Sequence, residues 1–273
     1  MSCKRMLILD IDGTLAKAEK EISPATKAAV IELMKRGHLC MLASGRPLCG
    51  MEWAARELEF EKYGGYLLSY NGALIVKFDT METVYEKKVP GAYLQEIYDC
   101  ALENDCGIIS YEGNVVISGH YMSEYIEREL RINDMTVKEV ENFPGYFRDD
   151  VVKCMWCIEP DRAKALEQKM KSRMGDRVSV YRSEPYYVEA MPLGVDKATS
   201  IAHMLPLVGL TREDCVACGD SFNDITMIKY AGVGVAMGNA KPEVKEAADV
   251  ITGTNEADGL IPVIEKYFLC DEG

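Results

Sequence analysis

The chain has 273 residues, 48% of them hydrophobic and 27% charged, the profile of a soluble globular protein with material for one large core or two modest ones. A formal charge of −13 argues against general affinity for nucleic acid or for an anionic membrane surface, and no stretch approaches the length of a membrane-spanning helix. A small anionic ligand would therefore need a local positive site.

Met1-Ser2-Cys3-Lys4-Arg5 leads into an apolar strand broken by Asp10, which is not the pattern of a signal peptide, so a reducing cytoplasm is the expected compartment for the ten cysteines. The run Leu7-Ile8-Leu9-Asp10-Ile11-Asp12-Gly13-Thr14-Leu15 then drives a short buried strand into two carboxylates and a turn glycine. Charged groups at the mouth of a strand are costly unless something binds them, and carboxylate oxygens suit Mg2+. The spacing is not that of an EF-hand loop: the sixth residue from Asp10 is Leu15 rather than glycine, and a strand precedes it.

Ser23-Pro24 starts a helix with serine as N-cap; Val30, Leu33 and Met34 form its apolar face and Gly37 ends it. Leu39 to Ala43 is a second buried strand, ending at Ser44-Gly45-Arg46-Pro47. A helix carrying Trp53, Ala54 and Leu58 leads to a third strand, Tyr66 to Ser69. Strand and helix in alternation predict a parallel sheet with right-handed crossovers.

The pattern changes near residue 84. From there to about Tyr187 the strands shorten and alternate, with a hairpin turn at Glu112-Gly113-Asn114, helices at about Ala92 to Asn104, Met122 to Arg131 and Asp161 to Met174, and strands at Val151 to Ile158 and Arg177 to Tyr181. This reads as an inserted α+β domain with an antiparallel sheet, residues 84–187. The parallel pattern resumes with a helix from Asp196 to Leu205, strands at Cys215 to Cys218, Val233 to Ala236 and Val250-Ile251, and helices at Pro242 to Ala247 and Leu260 to Phe268. Residues 1–83 and 188–273 are thus expected to build one discontinuous α/β domain, a Rossmann-like parallel sheet with helices on both faces. The Cys154/Cys157 and Cys215/Cys218 pairs lie in strand-like runs, where residues three apart point to opposite faces, so neither is expected to hold zinc.

Three strands of the parallel domain end in polar turns: Asp10/Asp12, Ser44/Arg46 and Asp220/Asn223/Asp224. In open parallel sheets ligands bind outside the carboxyl ends of the strands, so these groups should meet in one crevice. Several carboxylates with a lysine or arginine is what Mg2+-dependent phosphoryl transfer needs: one carboxylate can attack phosphorus and a second can move the proton of the leaving oxygen.

These motifs resemble those of the haloacid dehalogenase superfamily, and specifically its Cof-type phosphatases, which carry a C2B-like α+β cap inserted after the third core strand. Asp10-Ile11-Asp12-Gly13-Thr14-Leu15 fits the first motif, Ser44-Gly45-Arg46-Pro47 the second, Lys197 in Gly194-Val195-Asp196-Lys197 the third, and Gly219-Asp220-Ser221-Phe222-Asn223-Asp224 the fourth. Asn71-Gly72-Ala73 before the insert and Gly232 to Ala240 after the fourth motif match as well. The resemblance implies Asp10 as nucleophile and Asp12 as general acid/base, with Mg2+ held by Asp10, the Asp12 carbonyl and Asp220, and Asp224 in support. It also implies that Ser44, the Gly45 backbone, Lys197 and Asn223 bind the transferring phosphoryl group, with Arg46 and Asn71 as further phosphate or substrate contacts. Ser44 stands where many relatives have threonine, and the hydroxyl is kept.

The expected activity is hydrolysis of a small phosphorylated metabolite, sugar phosphates first, with the cap excluding water and selecting the leaving group. A phosphomutase of the same architecture and a slow-turnover sensor of phosphorylated metabolites are the alternatives. Glu184, Tyr186, Tyr187 and Glu189 are candidate specificity residues; no pattern speaks to oligomeric state.

Overall fold

The computed structural model describes residues 4–18 and 20–270; the reading of Met1-Ser2-Cys3 as part of the chain's start lies outside them. β1 (Met6–Leu9) is buried along its whole length, and α1 (Pro24–Lys35) follows with Ser23 as N-cap, its side chain accepting the Thr26 N–H at 3.1 Å. β2 (Leu39–Ala43), α2 (Cys49–Glu57), the short α3 (Phe60–Tyr63) and β3 (Tyr66–Ser69) continue the alternation. The chain then reverses through Tyr70-Asn71-Gly72, all at positive φ, into β4 (Leu74–Lys77), antiparallel to β3, and β5 (Glu82–Glu86).

Next come α4 (Leu94–Glu103), β6 (Gly107–Glu112), β7 (Val115–Gly119), α5 (Glu124–Asn133), β8 (Thr136–Val140), α6 (Phe143–Tyr146), β9 (Cys154–Cys157), α7 (Pro160–Met174), β10 (Val178–Glu184) and β11 (Tyr187–Pro192). The return comprises α8 (Lys197–Met204), β12 (Cys215–Gly219), α9 (Ile225–Tyr230), β13 (Val233–Ala236), α10 (Pro242–Ala247), β14 (Val250–Ile251) and α11 (Leu260–Ile264). What reads in sequence as one closing helix to Phe268 is α11 followed by a π-helical turn, Glu265–Leu269.

Backbone contacts divide the chain into two units: Met1–Gly45, Met51–Tyr85 and Asp196–Gly273 form the first, and Arg46–Gly50 with Glu86–Val195 the second. The first unit holds an eight-stranded sheet in the order β14-β13-β12-β1-β2-β3-β4-β5. β1 lies between β2 and β12 and is parallel to both, Met6 standing opposite Leu39 and Cys215. Strands covered by helices on both faces are apolar throughout, which is why they read as continuous hydrophobic runs rather than alternating ones. β5 includes Thr83-Val84-Tyr85, the segment where the sequence pattern changes, yet it is the edge strand of this sheet.

The second unit's sheet runs β10-β11-β9-β6-β7-β8. It is antiparallel from β10 to β7, as expected, but β8 pairs parallel to β7. The cause is α5, which carries the chain back as a crossover so that β7, α5 and β8 make a β-α-β unit. β8 is mostly exposed and polar, so it leaves no hydrophobic period to read. β11 pairs with both β10 and β9 and keeps the second sheet's backbone going to Pro192. This unit has its own apolar core around Trp156, whose indole N–H donates to the Ile97 carbonyl at 3.0 Å.

Candidate active site

The first unit's loops at the carboxyl ends of β1, β2 and β12 carry most of the residues singled out in the sequence. Asp10 follows β1, and its backbone N–H still bonds the Cys218 carbonyl of β12 at 3.0 Å, so its position is fixed by the sheet itself. Lys197 opens α8 behind the N-cap Asp196, whose side chain accepts the Thr199 N–H in a capping box. The Lys197 side chain is wholly buried and its ammonium bonds Asp10 Oδ1 at 2.8 Å, Asp224 Oδ1 at 2.6 Å and the Ala43 carbonyl at 2.7 Å. An ammonium has three N–H donors, and those three partners use them. A cation at a helix N-terminus opposes the helix dipole, and here two carboxylates outweigh that opposition.

Asp224 is fully buried; its Oδ2 accepts the N–H groups of Asp220 (3.0 Å) and Ser221 (2.9 Å), so the same carboxylate holds Lys197 and folds the loop after β12. Gly219 makes room for it, since a Cβ there would lie 2.4 Å from Asp224 Cβ. Asp220 accepts the Thr14 hydroxyl at 2.9 Å, and a Cβ on Gly13 would stand 2.6 Å from Asp220 Oδ2. Gly13 also has φ +87°, so glycine is required there twice over.

Carboxylate oxygens of Asp10, Asp220 and Asp224 lie within 4.8 Å of one another. Three carboxylates around one lysine leave an excess of negative charge. Burial, then Asp224, push the Asp10 carboxyl up while Lys197 pulls it down, and the upward push wins. Asp220 is pushed up to about 6, chiefly by burial, with the Thr14 hydroxyl opposing and the charge of Asp224 adding. Burial works to lower Lys197, but Asp10 and Asp224 together carry it above its ordinary value. Hard oxygen donors at this spacing with unbalanced charge fit a divalent cation such as Mg2+. Asp12 has an exposed side chain outside this cluster.

Ser44 is buried at the end of β2; its N–H bonds the Leu68 carbonyl (2.8 Å) and its carbonyl accepts the Asn71 N–H (3.0 Å). Asn71, at φ +52°, accepts the Asn223 carboxamide at 3.0 Å, and a Cβ on Gly45 would meet the Asn71 carboxamide at 3.1 Å. Ser44, Gly45, Asn71 and Asn223 are therefore neighbours. Arg46 is not grouped with them: its segment belongs to the second unit, where its Nη1 bonds the Ile132 carbonyl (3.4 Å) and Asn133 Oδ1 (3.3 Å).

Two residues with no role in the sequence reading brace the first loop. Asn239 donates to the Gly13 carbonyl at 2.7 Å and accepts the Asn255 N–H at 3.1 Å, while Asn255 donates to the Ala16 carbonyl at 2.9 Å. Asn239 ends the glycine-rich run after β13, a signal that marks a loop but not its partner.

The family model for haloacid dehalogenase-like hydrolases matches residues 7–264. The chain is 30% identical over 266 residues to the 5-amino-6-(5-phospho-D-ribitylamino)uracil phosphatase YcsE of Bacillus subtilis, covering 97% of this chain and 96% of that one. Among solved structures, a haloacid dehalogenase-like hydrolase from Bacteroides thetaiotaomicron superposes with a TM-score of 0.91 at 38% identity, over 97% of this chain and 100% of that one. The subclass IIB sugar phosphatase BT4131 shares the fold, with a TM-score of 0.79 at 22% identity over 98% and 100% of the two chains.

Proposed function

Given that the chain belongs to the haloacid dehalogenase-like hydrolase family and is a phosphatase, we propose that it hydrolyses small phosphorylated metabolites in the cytoplasm, sugar and polyol phosphates foremost, through a phosphoryl group carried on Asp10. The observation that carries this reading is the buried Lys197 ammonium joined to both Asp10 and Asp224, with Asp220 in reach of the same point. Named relatives support the substrate class: one is described as a phosphatase of a phosphorylated ribityl compound and another as a sugar phosphatase.

In this mechanism an Asp10 carboxylate oxygen attacks phosphorus as the bond to the leaving oxygen breaks, and Asp12 gives that oxygen its proton. Asp12, now a carboxylate, takes a proton from water; the water oxygen attacks the phosphoryl group, inorganic phosphate leaves and Asp10 is restored. Lys197 orients Asp10 and offsets charge that builds on the phosphoryl oxygens, and Asp224 orients Lys197. Ser44, the Gly45 backbone and Asn223 offer hydrogen bonds to those oxygens, and the resemblance carries Asn71 and Arg46 as further contacts to phosphate or substrate. Asp10, the Asp12 carbonyl, Asp220 and Asp224 would hold Mg2+, which when bound neutralises phosphate oxygens as a Lewis acid.

The test is phosphate release from p-nitrophenyl phosphate and from a panel of phosphorylated sugars, polyols and cofactors, with Mg2+ or with EDTA. Turnover lost on chelation and in Asp10→Asn is the expected result. An Asp10→Asn protein that retains full turnover would overturn the reading, and substrate consumed without stoichiometric phosphate would favour a phosphomutase instead.

A further inference from the structure

The loop after β13 touches both of the loops that carry the carboxylate cluster, and all three loops belong to the first unit. Asn239 Nδ2 donates to the Gly13 carbonyl at 2.7 Å, and two residues on, the Lys241 N–H donates to the Asp220 carbonyl at 3.2 Å. Between those two anchors the loops after β1 and β12 meet side chain to side chain: the buried Thr14 gives its hydroxyl to Asp220 Oδ1 at 2.9 Å. The Gly13 carbonyl and the Thr14 N–H share one peptide plane. That plane is held at both ends, by Asn239 on its carbonyl and by the Ile11 carbonyl, which accepts the Thr14 N–H at 3.4 Å. Its orientation decides where the Thr14 side chain points.

Asn239 is itself aimed. Its Oδ1 accepts the Asn255 N–H at 3.1 Å, so a flipped carboxamide would set oxygen against the Gly13 carbonyl and N–H against N–H. The Asn255 side chain serves the same loop, donating to the Ala16 carbonyl at 2.9 Å. The turn that presents Asn255 is closed by the Gly259 N–H on the Thr254 carbonyl at 2.9 Å, and the Gly238 N–H fastens it to the loop after β13 through the Gly253 carbonyl at 2.9 Å. A Cβ on Gly238 would lie 2.9 Å from the Gly253 carbonyl carbon, so this approach needs glycine. Asn239 is exposed and Asn255 half-buried. Neither fills the core, so what the two carboxamides supply is direction rather than apolar burial.

We infer, on the phosphatase reading above, that Asn239 is a positioning residue: it holds Gly13-Thr14 so that the Thr14 hydroxyl keeps the Asp220 carboxylate in reach of Asp10 and Asp224, and so sets the affinity of that cluster for a divalent cation. The segment after β13 then contributes to cation binding without offering a ligand.

The experiment compares the full-length parent with Asn239→Ala, Thr14→Val, the two combined, and Glu256→Ala, whose carboxylate accepts the Ala18 N–H at 3.3 Å further along the same loop. It reads Mg2+ binding by calorimetry, the Mg2+ dependence of p-nitrophenyl phosphate hydrolysis, and thermal unfolding in EDTA. Asn239→Ala and Thr14→Val are each expected to raise the Kd of Mg2+, and the Mg2+ concentration for half-maximal turnover, about five- to tenfold, the effect of one lost hydrogen bond. For Asn239→Ala, kcat at saturating Mg2+ should change less than about twofold. Adding it to Thr14→Val should raise Kd less than about twofold further, and Glu256→Ala should keep the parent's Kd. If Thr14→Val fails to fold, Asn239→Ala at its exposed position and Glu256→Ala still decide. Losses that multiply in the double variant, equal weakening by Glu256→Ala, parent affinity in Asn239→Ala, or a parent that binds no Mg2+ would overturn the assignment. Calorimetry needs no turnover: a parent that binds Mg2+ but hydrolyses no phosphoester, with Asn239→Ala still weakening the cation, would sink the hydrolase reading alone.

Discussion

Gly13 is where the loop after β1 touches the loop after β12, and both requirements on it are visible at one atom. Alanine would need φ near +87° and would place its methyl 2.6 Å from Asp220 Oδ2. Strain of that kind costs about 1–3 kcal/mol, and here it can be relieved only by moving Asp220. Gly13→Ala should therefore lose most phosphatase activity in Mg2+ while the protein stays folded by circular dichroism; unchanged kcat/KM would show that Asp220 has no fixed place to keep. Asp220 also makes stability depend on pH. Its folded carboxyl is pushed up to about 6, above the ordinary value near 3.9 that an unfolded chain would have. Between those two values the folded state binds more protons than the unfolded one, so stability falls as pH rises through roughly 4 to 6. Asp10, shifted in the same direction, adds to that slope. In EDTA, the local contribution of these two groups should thus favour pH 4.5 over pH 7. Mg2+ should reverse it, raising Tm more at pH 7 than at pH 5, where protons compete for the same oxygens. Calorimetric melts of the parent and Asp220→Asn at both pH values check this; equal Mg2+ shifts in the two proteins would refute it.

At the scale of elements, α1 shows how a local signal is extended by distant partners. Ser23 caps Thr26 N–H as its position before Pro24 predicts, but the Ser23 hydroxyl also bonds Asp258, as does Thr26 Oγ1 at 3.2 Å. Asp258 adopts φ +54° and so aims back across more than two hundred residues of chain. Ser23→Ala should cost about 1–2 kcal/mol, measured by urea unfolding, and Asp258→Ala should cost less when Ser23 is already alanine. The same contrast explains what was readable beforehand. Strands such as β1, β2 and β12 are buried on both faces and spelled out by apolar runs; Asp10, Asp220 and Asp224 stand in the polar turns where such strands stop, whereas only the family resemblance points to Lys197 in the sequence. The sequence reading gives no strand for β4, although the reversal before it runs through Asn71-Gly72, a turn dipeptide at positive φ, and it takes the β5 segment as the start of the insert. The parallel pairing of β8 escaped notice because Thr136–Val140 is an exposed, polar edge. Arg46 reads naturally with Ser44 and Gly45, and nothing in sequence says that its guanidinium packs on α5. Asn239 and Asn255 were likewise silent, since what they brace lies in the loop after β1.

For the whole molecule, two apolar clusters among the described residues differ in how the chain supplies them. Every residue of the cluster around Trp156 lies between Val89 and Ala190, so the second unit's interior comes from one uninterrupted stretch. The cluster in the first unit draws Met6, Ile8, Met41, Ala43, Leu68 and Ile75 from before the insert and Ile201, Met204, Leu205, Ala217 and Met227 from after it. β1 needs β12 on one side as well as β2 on the other. A fragment spanning 86–195 has a length in the ordinary range of independent domains and all of its apolar interior; it should melt cooperatively and give dispersed amide resonances. A fragment spanning 1–85 has a central strand with one edge unpaired and half of a core, so it should be unfolded or aggregate. Trp156→Ala, which removes the largest buried side chain of the insert and its bond to Ile97, should cost about 3–5 kcal/mol, and hydrogen exchange should report that loss in β6, β9 and β11 well before β1, β2 and β12. An insert fragment without cooperative unfolding, or equal loss of protection in both sheets of Trp156→Ala, would mean that the two cores form as one cooperative unit despite their separate supply.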